Sequence, residues 1–471
     1  MKRIVIIGGG ISGLAAAHRL LELNKTTPIQ LTLLEASSRL GGTIETTNRD
    51  GFLIERGPDS FISEKPEALA LAKRLGLEQQ LIQTNEDYRR SFIVRDGRLR
   101  PVPEGFQLLA PSRIWPFLTS DIFSLTGKAR IAADLFLPRK IANGANDESL
   151  ASFVRRRLGS EALERMAQPM VGGIYTADPE TLSLRATLPR FLEMEREHRS
   201  LILAMLRQGQ SQKKGTSGAR YSLFLSFKQG MQVLVNELAN RVRNCHLPIT
   251  DCRLKTRAEG LRIKDRLWTV TTTTGEQIDA DAVCLAVPAY VAASLLNETN
   301  EELAGKLRQI KYASTATINF GYKRSAIKHH LDGFGFVVPL VEKRSLIACT
   351  FSSVKFSDRA PDGHVLLRAF AGGALQPEIF ALEEVEMVKR VEADLRELLG
   401  ITEAPLFTEV AKWERSMPQY EVGHLERVKE IENLLSTGLT LAGNAYGGAG
   451  IPDCIKSGEK AAEEITTNER E

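Results

Sequence analysis

Apolar and polar positions alternate in two different rhythms along this chain. Short unbroken apolar runs read as strands buried on both faces, the pattern of a parallel sheet: Ile4-Val-Ile-Ile7, Ile29-Gln-Leu-Thr-Leu-Leu34, the end of Asp281–Val287, and Leu439–Ala442. A second set of strand patterns covers Phe92–Pro103 around the turn Asp96-Gly97, Leu261–Ile263, Leu267–Thr273, Thr315–Tyr322, Gly335–Pro339, Leu346–Phe351 and His364–Phe370. Helical spacing marks Pro66–Lys73, Ser124–Leu137, Leu150–Leu158, Ser160–Met170, Arg190–Arg207, a segment from Gly230, the amphipathic Glu383–Leu399, and a last helix from Pro452. Residues 208–220 have loop composition, and no fixed-period repeat appears.

The junction after the first strand carries the first chemical signal. Gly8-Gly9-Gly10-Ile11-Ser12-Gly13 is a G-x-G-x-x-G turn between a strand and a small-residue helix. Gly8 allows the tight turn, Gly10 lets a pyrophosphate approach the backbone, and Gly13 lets helix and strand pack closely. The helix N-terminus offers unpaired amides and a positive dipole end to the anion. Glu35 ends the second strand 22 residues past Gly13, near the spacing of about 20 at which a carboxylate meets ribose hydroxyls. The second signal lies near the other end. Leu441-Ala-Gly443-Asn-Ala-Tyr446-Gly447-Gly-Ala-Gly450-Ile451-Pro452 leads from a strand through glycines into a helix. Such a turn suits close approach of backbone to something flat. A helix N-terminus aimed at an anionic group would stabilise its charge by about 0.3–1 kcal/mol, up to ~2 if partly buried. A seat that needs both ends of the chain implies a discontinuous domain with insertions.

Bulk properties narrow the field. At 471 residues, two or three domains are expected. The composition is 43% hydrophobic and 25% charged, and the net charge of +4 is small against 62 basic and 58 acidic residues. This does not argue for nucleic acid. No run is long and apolar enough to span a bilayer, and Ile4–Ile7 is too short for a signal-peptide core, so a cytoplasmic protein is expected. The five cysteines, Cys245, Cys252, Cys284, Cys349 and Cys454, lack C-x-x-C spacing and read as reduced thiols. The seven histidines show no metal-ligand pattern. Arg155-Arg-Arg157 reads as a solvated helix face.

After Glu35, the string Ala36-Ser-Ser-Arg39-Leu-Gly41-Gly42 resembles the extended signature of FAD enzymes of the amine oxidase and porphyrinogen oxidase superfamily. More specific strings follow: Glu55-Arg-Gly57-Pro58-Asp59-Ser60-Phe61, Leu99-Arg-Pro-Val-Pro103, Phe123-Ser-Leu-Thr-Gly-Lys-Ala-Arg130, Gln168-Pro-Met-Val-Gly-Gly173-Ile-Tyr175, Met417-Pro-Gln-Tyr420 with Gly423-His424, and Gly450-Ile-Pro-Asp-Cys454. Together they resemble the protoporphyrinogen/coproporphyrinogen III oxidase family, its bacterial soluble branch most of all, over nearly the whole chain. The resemblance implies an α/β fold with α+β insertions: a Rossmann-like FAD-binding domain, a mixed-sheet substrate domain and a helical insertion. The division it implies is 1–56, 221–290 and 405–471 for FAD, 57–90, 206–220 and 291–404 for substrate, and 91–205 for the helical, membrane-domain-like insertion. It places FAD against Gly8, Gly9, Gly10, Ile11, Ser12, Gly13, Glu35, Ala36, Arg39, Gly42, Thr43, Gly57, Pro58, Asp59, Ser60, Leu254, Trp413, Gly443, Gly450, Ile451 and Pro452. Phe334, Val337 and Phe370 would flank the macrocycle, with Gly173 leaving room at the meso carbon.

The chemistry implied is six-electron oxidation of a porphyrinogen in haem biosynthesis, as three flavin cycles with molecular oxygen as acceptor and peroxide as by-product. The flavin does the hard step, so no catalytic side chain is named. The substrate's carboxylates call for cations. The candidates are Lys65, Arg89, Arg90, Arg95, Arg98 and Arg100, with Lys65 and Arg90 foremost. Where protoporphyrinogen-oxidising relatives carry an arginine, Ser91 aligns and Arg90 stands one step earlier. Adjacent strand residues point to opposite faces, which favours coproporphyrinogen III over protoporphyrinogen IX. The other readings are a flavin amine oxidase or carotenoid desaturase, and a flavin-free binding protein on the same fold. A monomer or homodimer with at most peripheral membrane contact is expected.

Overall fold

The computed structural model describes residues 1–24, 29–140, 147–212, 223–244 and 250–467. The strand Lys2–Ile7 lies at the centre of a five-stranded parallel sheet, in the order Thr250–Arg253, Ile29–Leu34, Lys2–Ile7, Ala282–Leu285, Leu439–Leu441. Ile6 sits opposite both Leu33 and Cys284, and Leu285 opposite Leu441. Helices cover this sheet, which is why its strands read as continuous apolar runs. The first helix, Ile11–Leu23, and the last described one, Ile451–Thr467, pack against each other. Their contact depends on Gly458, whose Cβ would overlap the Ser12 carbonyl.

A second sheet has seven strands in the order Phe407–Pro418, Tyr312–Lys323, His364–Gly372, Ala348–Phe351, Gly335–Val337, Phe92–Arg95, Arg98–Pro101. All its pairings are antiparallel except that of Gly335–Val337 with Phe92–Arg95. The strand 364–372 shows its two faces plainly. Leu367 and Ala369 join a core with Met387, Val391 and Leu395 of the helix Glu384–Leu399. Arg368 and Phe370 point the other way, because strand side chains alternate; the Arg368 guanidinium reaches the Gly57 carbonyl. Two of its strands come from segments that the sequence division groups elsewhere. The strands 92–101, placed with the helical insertion, and 407–418, placed with the FAD part, both pair into this sheet.

The helical region has its own core, built on Phe117, Phe153, Leu184, Phe191 and Met205. The single helix expected over Arg190–Arg207 is two, Pro189–His198 and Leu201–Gln212. Arg199 breaks it with φ +67°. Its carbonyl accepts a 2.6 Å bond from Arg157, and Ser200 caps the next helix through Leu203 N at 3.1 Å. The solvated-face reading of Arg155-Arg-Arg157 fails for the same reason. Arg157 is fully buried on Asp134 (Nε to Oδ1, 2.7 Å), and Arg156 pairs with Glu148 and Glu195; Arg155 alone stays on the surface, on Glu180. Such a buried charge is kept only because its donors are satisfied. The expected helix at Ser160–Met170 contains a π-turn over Leu163–Ala167 and runs on through Gln168–Tyr175. Part of the expected 208–220 loop, up to Gln212, is helical; residues 213–220 and Cys245 lie outside the described residues.

Glu55 sits where the two sheets meet. It is buried, accepts hydrogen bonds from the Thr46 hydroxyl and the Met231 amide (both 2.7 Å), and burial pushes its carboxyl up to about 7. A carboxyl raised in the folded state favours folding below its unfolded value and loses that contribution as pH rises from about 4.5 to about 7, some 3 kcal/mol for a shift of this size. Glu55→Gln is expected to flatten this part of the stability profile, so that the variant gains on the wild type by roughly that amount between pH 5 and pH 8. Chemical denaturation at both pH values measures it; parallel curves for the two proteins would refute the assignment.

Candidate active site

The glycine turn after the first strand works as three separate devices. Gly8 has φ +110°, and its missing Cβ lets it lie on the Ala286 carbonyl. A Cβ at Gly13 would overlap the Gly8 carbonyl, so this glycine sets the helix–strand distance. At Gly10 a Cβ would meet nothing nearer than the Gly42 Cα at 4.0 Å. Gly10 caps the helix Ile11–Leu23 without a side-chain cap, so the amides of the first turn, around Ile11 and Ser12, are left for a ligand. Glu35 stands beside this turn. Its carboxylate accepts from Gly9 N at 2.8 Å and from Ser37 N at 2.7 Å. The turn after Thr250–Arg253 comes alongside through Lys255 and Thr256, whose amides bond the carbonyls of Ser37 and Glu35, and so brings Leu254 to the same edge.

Arg39, expected against FAD, also braces this edge. Its guanidinium is spent on the carbonyls of Leu40, Gly42 and Ile44 and on Glu45, so it shapes the turn that presents Gly42 and Thr43. Ala36, Gly42 and Thr43 are exposed on that edge. Next to it lies Gly57, which has no room for a Cβ against the Thr43 carbonyl. The loop from Gly57 to Ser60 is held from all sides. The Arg56 carbonyl accepts from Trp413 Nε1 (2.9 Å) and the Thr317 hydroxyl. The Asp59 carbonyl accepts from Ser226 Oγ (2.7 Å), and its carboxylate meets Lys355 Nζ at 2.9 Å and Arg368 at 3.6 Å. Burial alone would raise the Asp59 carboxyl, but Lys355 and Arg368 outweigh it and hold it well below the usual carboxylate range. Pro58 is half-buried in the same loop.

The C-terminal turn completes the group. Gly443 and Gly447 both look onto open space, with nothing within 4 Å of a Cβ. Gly450 precedes the helix that Ile451 and Pro452 start, one residue before the expected start, and Gly450 N donates to Asp453 Oδ2 at 3.3 Å. Bare backbone thus faces open space from Gly10 with Gly42 and from Gly443 with Gly447. Residues of this kind fit a flat nucleotide-linked cofactor.

The apolar candidates are partly brought together. Val337, Ala348 and Phe370 lie in one cross-strand row, and a Cβ on Gly173 would be 3.8 Å from Val337 Cγ1. The Arg368 guanidinium stands 4.7 Å over the Phe370 ring, tying this row to the Gly57 loop. Phe334 is half-buried just before the strand 335–337, with its amide on the Arg90 carbonyl. Among the described residues, the candidate cations, by contrast, all but one have an acid or carbonyl partner. Lys65 is on Asp453 (2.6 Å), Arg90 on Asp332 (3.0 Å), Arg89 on Glu86 (2.8 Å), Arg100 on Asp121 (2.6 Å), and Arg95 on Asp96 and the Asp121 carbonyl; Arg98 is exposed. Arg90 and Ser91 precede the strand 92–95, so strand alternation does not separate them.

Sequence reading missed the residues behind the site. Lys355 and Arg368 had no motif. Tyr420 and His424 had one, the Met-Pro-Gln-Tyr and Gly-His strings, but no role: the two rings stack at 4.3 Å, and the Tyr420 hydroxyl donates to the Asn444 carbonyl, bracing the glycine turn. Burial and Arg427 push His424 down to about 4, so it is neutral at ordinary pH. Burial holds the Cys284 and Cys454 thiols up to about 12, so neither supplies a thiolate.

Comparison with known proteins agrees with this geometry. The model of the family described as flavin containing amine oxidoreductase matches residues 11–466. The chain belongs to this family. It is a flavin-dependent oxidoreductase, and within the flavin amine oxidoreductases it is similar to a coproporphyrinogen III oxidase of Bacillus subtilis (36% identical, 99% of this chain and 98% of the relative) and to one of Staphylococcus aureus (32%, 98% and 99%). Protoporphyrinogen oxidase 1 of Arabidopsis thaliana is 30% identical, over 98% of this chain and 87% of its own. Among solved structures, one from Exiguobacterium sp. 255-15, provisionally named a protoporphyrinogen oxidase, superposes with TM-score 0.87 at 30% identity over 99% of both chains. A putrescine oxidase, TM-score 0.71 at 17% identity, shares the fold.

The glycines allow a clean separation of roles. Gly10→Ala is expected to fold with wild-type melting behaviour and to lose flavin, since a methyl group there fills only the ligand's space. Gly13→Ala is expected to destabilise the fold itself by several kcal/mol, because the methyl group strikes backbone. Circular dichroism and the visible absorbance of the purified proteins decide; a yellow Gly10→Ala protein with full flavin content would refute the seat.

Proposed function

We propose that this protein oxidises coproporphyrinogen III to coproporphyrin III in haem synthesis, using FAD and molecular oxygen. FAD, when bound, would take two electrons from the substrate and pass them to oxygen, so three cycles remove six electrons and give three molecules of hydrogen peroxide. The observation that carries the reading is the bare backbone of two turns, Gly10 with Gly42 and Gly443 with Gly447, at the same end of the parallel sheet, together with the apolar row Val337–Phe370, which Arg368 ties to the Gly57 loop. Whole-length similarity to coproporphyrinogen III oxidases, with a protoporphyrinogen oxidase further off, selects the substrate.

The chain's residues would bind, orient and shield. Gly8–Gly13 and Glu35 would hold the dinucleotide, and Gly57–Ser60 with Gly450–Pro452 the flavin end. Val337 and Phe370 offer apolar surface to a flexible macrocycle, and Gly173 leaves space above it. No side chain is asked to act as nucleophile, in keeping with the protonated thiols and the neutral His424. The substrate's carboxylates would compete with Asp453 for Lys65 and with Asp332 for Arg90. No helix among the described residues is long and apolar enough to cross a membrane. Trp115 and Phe136, strongly exposed on the helical region, suit at most a peripheral contact by a cytoplasmic protein.

Anaerobic mixing of the yellow protein with each porphyrinogen tests the reading. Coproporphyrinogen III is expected to bleach the flavin at least tenfold faster than protoporphyrinogen IX. The reverse order would reassign the substrate, and bleaching by a simple amine alone would favour an amine oxidase.

A further inference from the structure

A flavin that accepts electrons gains negative charge, and a protein that binds the reduced form better raises its reduction potential. The start of the helix Ile451–Thr467 is the obvious source of positive potential. It carries only a partial charge, and the charged side chains beside it add nothing net. Asp453 lies in its first turn, 3.3 Å from Gly450 N, and Lys65 is spent on that same carboxylate at 2.6 and 2.7 Å. Lys65 and Asp453 neutralise each other as a pair, so this end is left with the helix's own partial charge, roughly half an elementary charge.

A different group keeps an excess of positive charge. Lys355, Arg359 and Arg368 converge behind the Gly57–Ser60 loop. Arg368 is 4% exposed, bonds the Gly57 carbonyl, and its Nε has no hydrogen-bond partner among the described residues. Arg359 is 2% exposed and bonds Ser226 Oγ (3.1 Å) and the carbonyls of Phe227 (2.8 Å) and Lys228 (3.0 Å). Lys355 reaches Asp59 at 2.9 and 3.1 Å and Ser60 Oγ at 3.2 Å. The acids facing this cluster are Asp59, Glu55 and the exposed Asp358. Asp59 is ionised, and Glu55 has its carboxyl pushed up to about 7 by burial. Arginine keeps its charge even in such surroundings. The buried part of the cluster is therefore cationic in either protonation state of Glu55. It is fixed in place before any ligand arrives, and little water screens it.

We propose that the buried Lys355–Arg359–Arg368 cluster, acting through the Gly57–Ser60 loop, is the main element that stabilises the reduced flavin, beyond what the C-terminal helix end supplies. These are positioning residues in the electrostatic sense. The inference rests on the flavin seat described above but not on the identity of the substrate.

The test is the flavin midpoint potential of the holoprotein, measured by slow reduction with dithionite against a reference dye, without porphyrinogen. Arg368→Met is expected to lower it by about 30 mV or more, the equivalent of a tenfold weaker preference for the reduced form in a two-electron couple. Arg368→Lys is expected to restore most of the loss. Sulfite, which adds to flavins beside positive charge, is expected to bind the Met variant at least tenfold more weakly. Should Arg368→Met not hold flavin, Lys355→Met decides, since Lys355 lies at the outer side of the same carboxylate and is expected to lower the potential too. Wild-type potentials in both variants, or a larger shift in Lys65→Met, would overturn the proposal. A wild-type protein that holds no flavin would overturn the seat and this inference with it. Failure to oxidise coproporphyrinogen III would overturn the substrate alone, and the measured potentials would still decide the role of the cluster.

Discussion

The architecture turns on the backbone of two residues, Arg56 and Gly57. The Arg56 carbonyl collects an indole and a hydroxyl from the seven-stranded sheet, and the Gly57 carbonyl takes a buried guanidinium from the same sheet. On its other side Gly57 rests directly on the Thr43 carbonyl, in the turn that faces Gly10. A single stretch of main chain thus fixes the distance between the nucleotide seat and the apolar row of Val337 and Phe370. Buried carbonyls without such donors would cost free energy, so the two sheets are registered by satisfied polar contacts as well as by apolar packing.

The same need explains the ion pairs inside the molecule. Arg157 with Asp134, and Asp59 with Lys355 and Arg368, are buried charges that are tolerable because each is paired with opposite charge and hydrogen-bonded. Each sits where an element must stop or turn: the first at the break between two helices, the second under the loop at the sheet junction. Their use is geometric. Hydrophobic side chains could fill the same volume, but they would not specify where the chain bends.

Much of this is legible in the amino-acid sequence alone. The parallel strands show as unbroken apolar runs because both their faces are covered, and the roles of Gly8, Gly10 and Gly13 follow from the spacing of the turn. Val337, Phe370 and Gly173, which family resemblance groups together, lie near one another. What stays hidden depends on long-range pairing. Nothing local distinguishes Arg368 from a surface arginine on a strand, or Arg157 from its neighbours in a basic run; only the topology says which face is buried. The break at Arg199 is invisible because the helical rhythm of the flanking residues continues across it. The strand 407–418 cannot be assigned to its sheet from sequence, since its partners lie some ninety residues upstream.

The order in which the sheet is assembled has a consequence for the protein's birth. Its central strand is made hundreds of residues before the neighbour at 282–285 and the edge at 439–441. The helix that rests on Ser12 through Gly458 comes later still. A nascent chain stalled at residue 400 would expose the face that this helix covers and would lack half of the cofactor's cradle. Closure of the parallel sheet therefore waits for the second glycine turn, and the proposed seat can form only once that turn is made.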